Sequence, residues 1–224
     1  MLIYTFEPIN KPVLLKTNIM NLNNLFESQL SDDVLAHLSE STGIGDKEET
    51  AKAAKAVFST MVGAISKNAS TPEGAESLAN ALDKDHDGGI LNDIMGYISG
   101  SQTSENPATT NGSGILNHVL GDKQEAVTSA LSKITNLDSS QLSGLMEKLA
   151  PMVMGVLGKT KQETGADSGT FSNKLGSILG SQSGDNPIMN VVTSILDKDG
   201  DGNVMDDVLG DKIGGMLGGL FNKK

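Results

Sequence analysis

Two stretches of the chain place aspartates at alternate positions and follow them with glycine, a spacing that can wrap oxygen atoms around a hard cation. The first reads LDKDHDGGILNDIMG over 82–96, and the second reads LDKDGDGNVMDDVLG over 196–210. In EF-hand or dockerin-type loops, positions 1, 3 and 5 supply side-chain oxygens, position 6 is glycine and position 7 supplies a main-chain carbonyl. The sequence therefore predicts two calcium-type loops, at 83–94 and 197–208.

The candidate calcium ligands occupy equivalent positions in the two loops. They are Asp83, Asp85, Asp87, Gly89 and Asp93 in the first loop, and Asp197, Asp199, Asp201, Asn203 and Asp207 in the second. Position 12, where EF-hands carry a bidentate carboxylate, is Ile94 or Val208. The missing carboxylate predicts weak binding, with a dissociation constant on the order of 10⁻⁴ M.

The same residues have an alternative interpretation in which no metal binds. Short carboxylates also shape tight turns by accepting hydrogen bonds from nearby main-chain N–H groups. The octad that ends each stretch also occurs without an acidic loop, as GILNHVLG at 114–121. We therefore expect the octad to be a short helix that stops at its glycine, with the acidic loop added to two of its three copies.

Helical periodicity extends over most of the chain and predicts an all-α, multihelical fold. Asp46 precedes a glutamate by three residues and predicts a helix over 47–67, and Asp138 repeats this start signal for a second helix. Pro151 lies inside the second helix and predicts a kink or a break there. A further short helix is expected around 171–179.

Spacing within the chain indicates an internal duplication of two related helical units. The two helix caps are 92 positions apart and the two acidic loops are 114 apart, which leaves 22 extra residues in the second half. The expected organisation is an extension at 1–19, unit 1 at 20–98, a linker at 99–113 and unit 2 at 114–224. The extension reads as a flexible segment or a non-native start, with Met20 as the natural start.

Composition and charge argue against several classes of function. The net charge is −11, all 17 basic residues are lysines and no cysteine is present. Nucleic-acid binding, which needs a basic face, and cysteine-based metal or redox chemistry are therefore not expected. No apolar run approaches the ~18 residues of a membrane span. The start of the chain lacks the features of a signal peptide, so the cytoplasm is the default expectation.

The three histidines do not suggest a catalytic arrangement. No Ser/His/Asp set, phosphate-binding loop or zinc-spaced histidine pair occurs in the sequence. His37 lies in a helix beside apolar neighbours. His86 takes a variable loop position that is Gly200 in the second loop, and His118 replaces Asp93 of the first octad, which predicts an exposed side chain. We therefore expect no catalytic residues and no enzymatic activity.

Several motifs together resemble an uncharacterised bacterial family, domain of unknown function 937, in the long form found in Bacteroidota. The resemblance is carried by NLFESQLSDDV (24–34), SKNASTPEGAESLANALDKDHDGGILNDIMG (66–96), NGSGILNHVLG (111–121), MEKLAPMVMGVLG (146–158) and LDKDGDGNVMDDV (196–208). It implies an all-helical fold, and it implies no activity and no catalytic residues.

The sequence favours a non-catalytic binding or structural protein with two degenerate calcium loops. A metal-independent helical adaptor or oligomerisation module is the alternative, and a hydrolase with an unrecognised carboxylate site is a distant third. The expected partner is another protein or a second copy of the chain, and calcium is the one cofactor that the pattern suggests.

Overall fold

The computed structural model describes residues 22–101 and 106–182, and every regular element in these ranges is helical. The α-helices are α1 (22–28), α2 (Asp32–Thr42), α3 (Lys47–Asn68), α4 (Pro72–Lys84), α5 (Ile94–Ile98), α6 (Pro107–Thr110), α7 (Gly112–Leu120), α8 (Gln124–Thr135), α9 (Ser139–Thr164) and α10 (Ser168–Gln182). Short 3-10 turns cover Gly89–Asn92 and Gly121–Lys123. The predicted all-α, multihelical fold is confirmed. Within these ranges no helix is both long and apolar enough to cross a membrane.

The core is built around α3 and α9, which pack against each other. Every residue from Thr60 to Ser66 and from Leu149 to Gly158 is buried. Helices that are buried on all sides lie at the centre of a fold. Aliphatic side chains and methionines form most of this core, and the ring of Phe26 in α1 stacks on Phe58 of α3 with ring centroids 4.3 Å apart.

The helix starts repeat at the 92-residue spacing that separates the two helix caps. Helices α2 and α3 begin at Asp32 and Lys47, and α8 and α9 begin 92 positions later, at Gln124 and Ser139. Both α2 and α8 pack on the central pair. Helices from both sides of the predicted linker therefore share one core, and α6 lies within the predicted linker.

Both predicted cap residues start their helices as expected. The Asp46 carboxylate accepts a hydrogen bond from the main-chain N–H of Glu49 at 2.8 Å. Asp138 and Gln141 form a reciprocal capping box, in which the N–H of Asp138 donates to Oε1 of Gln141 at 3.0 Å. These bonds satisfy N–H groups that a helix start otherwise leaves without partners.

Helix α9 runs unbroken through Pro151, so the prediction of a break at this residue is wrong. Proline has no N–H to donate to the carbonyl four residues earlier, which belongs to Glu147. Gly112, the first residue of α7, lies so close to this carbonyl oxygen that a Cβ on Gly112 would overlap it. Helix α7 therefore covers the place where α9 lacks an intrahelical hydrogen bond.

Helix α10 extends beyond the expected range of 171–179 at both ends. Phe171, Leu175 and Ile178 are buried on its inner face, and α10 packs on α3 and α4. The hydroxyl of Ser172 donates to the main-chain carbonyl of Ala69, which follows α3. The extra sequence of the second half thus contributes to the same core.

Replacing Gly112 with alanine should lower the free energy of unfolding by about 1–3 kcal/mol, because the new methyl group must push α7 away from Glu147. Gly144→Ala is a matched control in α9. The nearest atom to a Cβ at Gly144 is Cγ2 of Thr42, at 3.8 Å, so alanine fits and should stabilise by roughly 0.5–1 kcal/mol. Urea unfolding followed by circular dichroism measures both changes, and equal effects would contradict the close approach.

Candidate functional site

The first acidic loop begins inside a helix. Asp83 lies in the last turn of α4, and its Oδ1 forms an ion pair with Nζ of Lys161 in α9 at 2.6 Å. Asp85 caps the C-terminus of α4 in a right-handed helical conformation. Its Oδ1 accepts a hydrogen bond from Nδ2 of Asn106 at 2.7 Å, and its carbonyl accepts one from the hydroxyl of Thr109 at 2.8 Å. These two aspartates therefore bind different elements of the fold.

The next two carboxylates make local hydrogen bonds within the loop. Oδ1 of Asp87 accepts from the main-chain N–H of Gly89 at 2.8 Å. Between them Gly88 has φ of +97°, a left-handed conformation that glycine adopts without strain. Oδ1 of Asp93 accepts from the N–H of Gly96 at 2.9 Å and so caps α5. Both bonds are turn-forming bonds of the kind that short carboxylates make.

The structure does not gather these carboxylates around a common point. Among the residues that it describes, no three aspartate, glutamate or histidine side chains form a group that could hold a metal ion. Each of the four aspartates uses one carboxylate oxygen for its protein partner and keeps a second oxygen that can accept a further bond. Calcium binding at 83–94 therefore stays a prediction.

The predicted ligands of the second loop lie outside the described residues. This applies to the whole stretch 197–208, with Asp197, Asp199, Asp201, Asn203 and Asp207.

The main chain of the first loop packs directly on α9. A Cβ on Gly158 would overlap the carbonyl oxygen of His86, and a Cβ on Gly155 would lie 2.6 Å from Cγ2 of Ile90. A Cβ on Gly88 would lie 2.9 Å from Cβ of Lys159. Real Cβ atoms do not fit at such distances, so the loop can reach α9 only where side chains are absent. We call this face of α9, formed by Gly155 and Gly158, the glycine face.

His86 is buried at this contact, with only 6% of its surface exposed. Its Nδ1 atom has no hydrogen-bond partner among the residues described. Burial lowers the pKa of the imidazole, and the negative charges of Asp85 and Asp87 oppose this change. The sequence predicted no role for His86, because the second loop has glycine at the equivalent position. The glycines of α9 are the sequence signal that indicates a close contact.

The other two histidines lie elsewhere on the fold. Nε2 of His37 in α2 is 3.1 Å from the carbonyl oxygen of Ile98, so this side chain links α2 to the end of α5. His118 is exposed on α7, as expected.

The first octad does not form a single helix that stops at its glycine, so this prediction is wrong for GILNDIMG. Its first half is a 3-10 turn, the chain bends at Asp93, and α5 then continues through Gly96. The bend follows from the cap that Asp93 provides to a new helix. His118 stands at this position in GILNHVLG and gives no such cap, and α7 runs on to Leu120 before Gly121, as predicted.

Fold and site together define an all-α protein whose acidic loop packs on a glycine face of a central helix. A family model described as "Bacterial protein of unknown function (DUF937)" matches residues 24–160. This match covers more than half of the chain, and the chain belongs to this family. No curated protein and no solved structure matches the chain.

The burial of His86 predicts a pH-dependent stability. Folding lowers the pKa of this imidazole from its usual value of about 6.5. As the pH falls, His86 is therefore protonated in the unfolded chain before it is protonated in the folded chain. The free energy of unfolding should therefore fall between pH 7.5 and 5.5, by at most about 1.4 kcal/mol per pH unit from this group. His86→Gln should flatten this slope, whatever its effect on absolute stability.

His118→Gln is the matched control, because it removes an exposed histidine. Urea unfolding at each pH, in the presence of a chelator, gives the slopes. A His86→Gln slope as steep as that of the parent chain would contradict the assignment.

Proposed function

We propose that this chain is a non-catalytic structural or binding module in which the first acidic loop fastens α4 and α5 to α9 without a metal ion. The proposed module acts through a protein partner or a second copy of the chain. The observation that carries the proposal is the packing of the loop main chain on the glycine face of α9. An element held in this way does not need an ion to fix its conformation.

Apolar burial beside the glycine face supports the proposal. Ile90 is buried and Leu91 is partly buried, and both lie against Gly155. Burying an isoleucine side chain stabilises a fold by about 1.5–3 kcal/mol. Packing of this size is enough to hold a short turn in place.

The ion pair at the first loop position also supports a metal-independent role. The side chain of Lys161 is only 12% exposed, whereas that of Asp83 is 53% exposed. The ammonium group already compensates the charge of Asp83. A calcium ion bound at this carboxylate would lie close to the lysine, and two like charges in a partly buried place repel each other.

Calcium binding is the second candidate function. It is favoured by the alternate aspartates of both loops and by the second carboxylate oxygen that each aspartate of the first loop retains. Ligation by these oxygens would require Asp83, Asp85 and Asp87 to turn toward one point, as positions 1, 3 and 5 do in calcium loops.

Thermal melting of the chelator-treated full chain tests the proposal. We expect millimolar calcium to leave Tm unchanged, with magnesium as the control for ionic effects. Gly158→Ala should destabilise the chain by about 1–3 kcal/mol, because its methyl group displaces the loop, and by the same amount with and without calcium. Gly144→Ala should not lower Tm.

Two sets of asparagine substitutions separate the candidates. One set replaces the three alternate aspartates of the first loop, and the other replaces those of the second. The positions are Asp83, Asp85 and Asp87, or Asp197, Asp199 and Asp201. A ligand that binds only the folded chain raises Tm by mass action. A calcium-dependent rise in Tm that the first set abolishes would replace our proposal with the calcium candidate. A rise that only the second set abolishes would assign calcium to the second loop and leave the role of the first loop unchanged.

A further inference from the structure

We propose that Asn111 is a site of self-modification, at which the main-chain nitrogen of Gly112 attacks the Asn111 carboxamide, and that the packing of α7 on α9 controls the rate. Asn111–Gly112 is the one Asn-Gly step in the sequence. It joins α6 to α7, whereas the proposed function rests on the acidic loop and the glycine face. Either can therefore fail without the other.

The reaction needs only water besides the two residues. The nitrogen of Gly112 loses its proton and bonds to Cγ of Asn111, and the side-chain nitrogen leaves as ammonia. Water then opens the resulting cyclic imide at Cγ, which gives aspartate, or at the main-chain carbonyl carbon, which gives isoaspartate. The net change consumes water and releases ammonia, without oxidation or reduction. Glycine favours ring closure because it has no side chain that hinders the approach of its nitrogen.

The surroundings of Asn111 leave the reacting groups available when α7 moves. Asn111 is exposed to water and lies between two helices rather than inside one. Gly112 is the first residue of α7, where a helix offers no acceptor of its own for the main-chain N–H. Water can thus reach the site, and the attacking nitrogen has no intrahelical hydrogen bond to break.

The folded position of α7 opposes ring closure. A cyclic imide of an L-residue fixes ψ at a negative value, whereas ψ of Asn111 is 79°. The peptide bond that carries Gly112 must therefore rotate before the ring can close. Gly112 is buried, and a Cβ on it would overlap the carbonyl oxygen of Glu147 in α9. Such a rotation therefore requires the start of α7 to leave α9.

Two hydrogen bonds and apolar packing hold the start of α7 closed. Oδ1 of Asn111 accepts from the N–H of Gly114 at 2.9 Å, and the carbonyl of Asn111 accepts from the N–H of Ile115 at 3.0 Å. Ile115 and Leu116 are buried. Helix α7 has nine residues, and helices of this length are marginal in water without packing. Its first turn can therefore open at a lower cost than the whole fold.

The two products have different consequences for α7. Aspartate keeps an oxygen that can cap the helix, and its negative charge suits a helix start. Isoaspartate instead carries the main chain through Cβ and Cγ, which lengthens it and moves Gly112 away from the carbonyl of Glu147. The isoaspartate form should therefore have a lower Tm than the parent chain. The reaction converts a transient opening of α7 into a permanent covalent change.

Incubation of the full chain at slightly alkaline pH, folded or in guanidinium chloride, tests the proposal. Peptide mapping by mass spectrometry measures conversion at residue 111, and Asn111→Gln is the control because glutamine closes such a ring far more slowly. Leu116→Ala in α7 and Leu38→Ala in α2 are matched variants, since each removes a fully buried leucine side chain. If circular dichroism shows that Leu116→Ala is unfolded, Val119→Ala replaces it, with Val34→Ala as its match in α2.

We expect the folded parent chain to convert at least about tenfold more slowly than the denatured chain, because only opened molecules react. Leu116→Ala should raise the rate of the folded chain at least about threefold more than Leu38→Ala, because it loosens α7 itself. Acceleration by both variants equally, or by neither, would overturn the control by α7. Conversion of the folded chain at the denatured rate, or no conversion even in denaturant, would also overturn the proposal.

Discussion

The described fold depends on the close approach of main chain to one face of α9. Glu147, Pro151, Gly155 and Gly158 follow one another at spacings of four and three residues, so they lie on one side of the helix. Helix α7 packs on the carbonyl of Glu147, and the acidic loop packs on the two glycines. A side chain at Gly112, Gly155 or Gly158 would hold the packed element farther from α9 and leave voids that close-packed interiors do not tolerate.

This constraint extends from α9 to the neighbouring helices. The acidic loop joins α4 to α5, so its packing on α9 fixes the end of α4 and the start of α5. Helix α5 in turn packs on α2, where the His37 ring lies within hydrogen-bonding distance of the carbonyl of Ile98. Because α2 also packs on α9, these elements form a closed circuit of contacts. The loop therefore contributes to the packing of the helices around α9.

Short-range sequence signals predicted the helices well, but they could not predict contacts between residues that are distant in the chain. Asp46 and Asp138 identified two helix starts because a cap depends on residues only three positions apart. The contact of Gly112 with the carbonyl of Glu147, one turn before Pro151, could not be predicted in this way, because it joins residues that are distant in the chain. The two-unit organisation remains a prediction, although the helix starts repeat at its spacing. At the acidic loop, the sequence predicted the turn but neither the cap that Asp93 gives to α5 nor the burial of His86.

The aspartates of the first acidic loop do not all perform the same task. Alternate side chains on a helix point about 200° apart, which is why Asp83 and Asp85, at the end of α4, reach different partners. Asp83 pairs with Lys161 of α9, and Asp85 accepts a hydrogen bond from Asn106, which precedes α6. In the first loop, the alternate spacing therefore connects the end of α4 to two different parts of the fold.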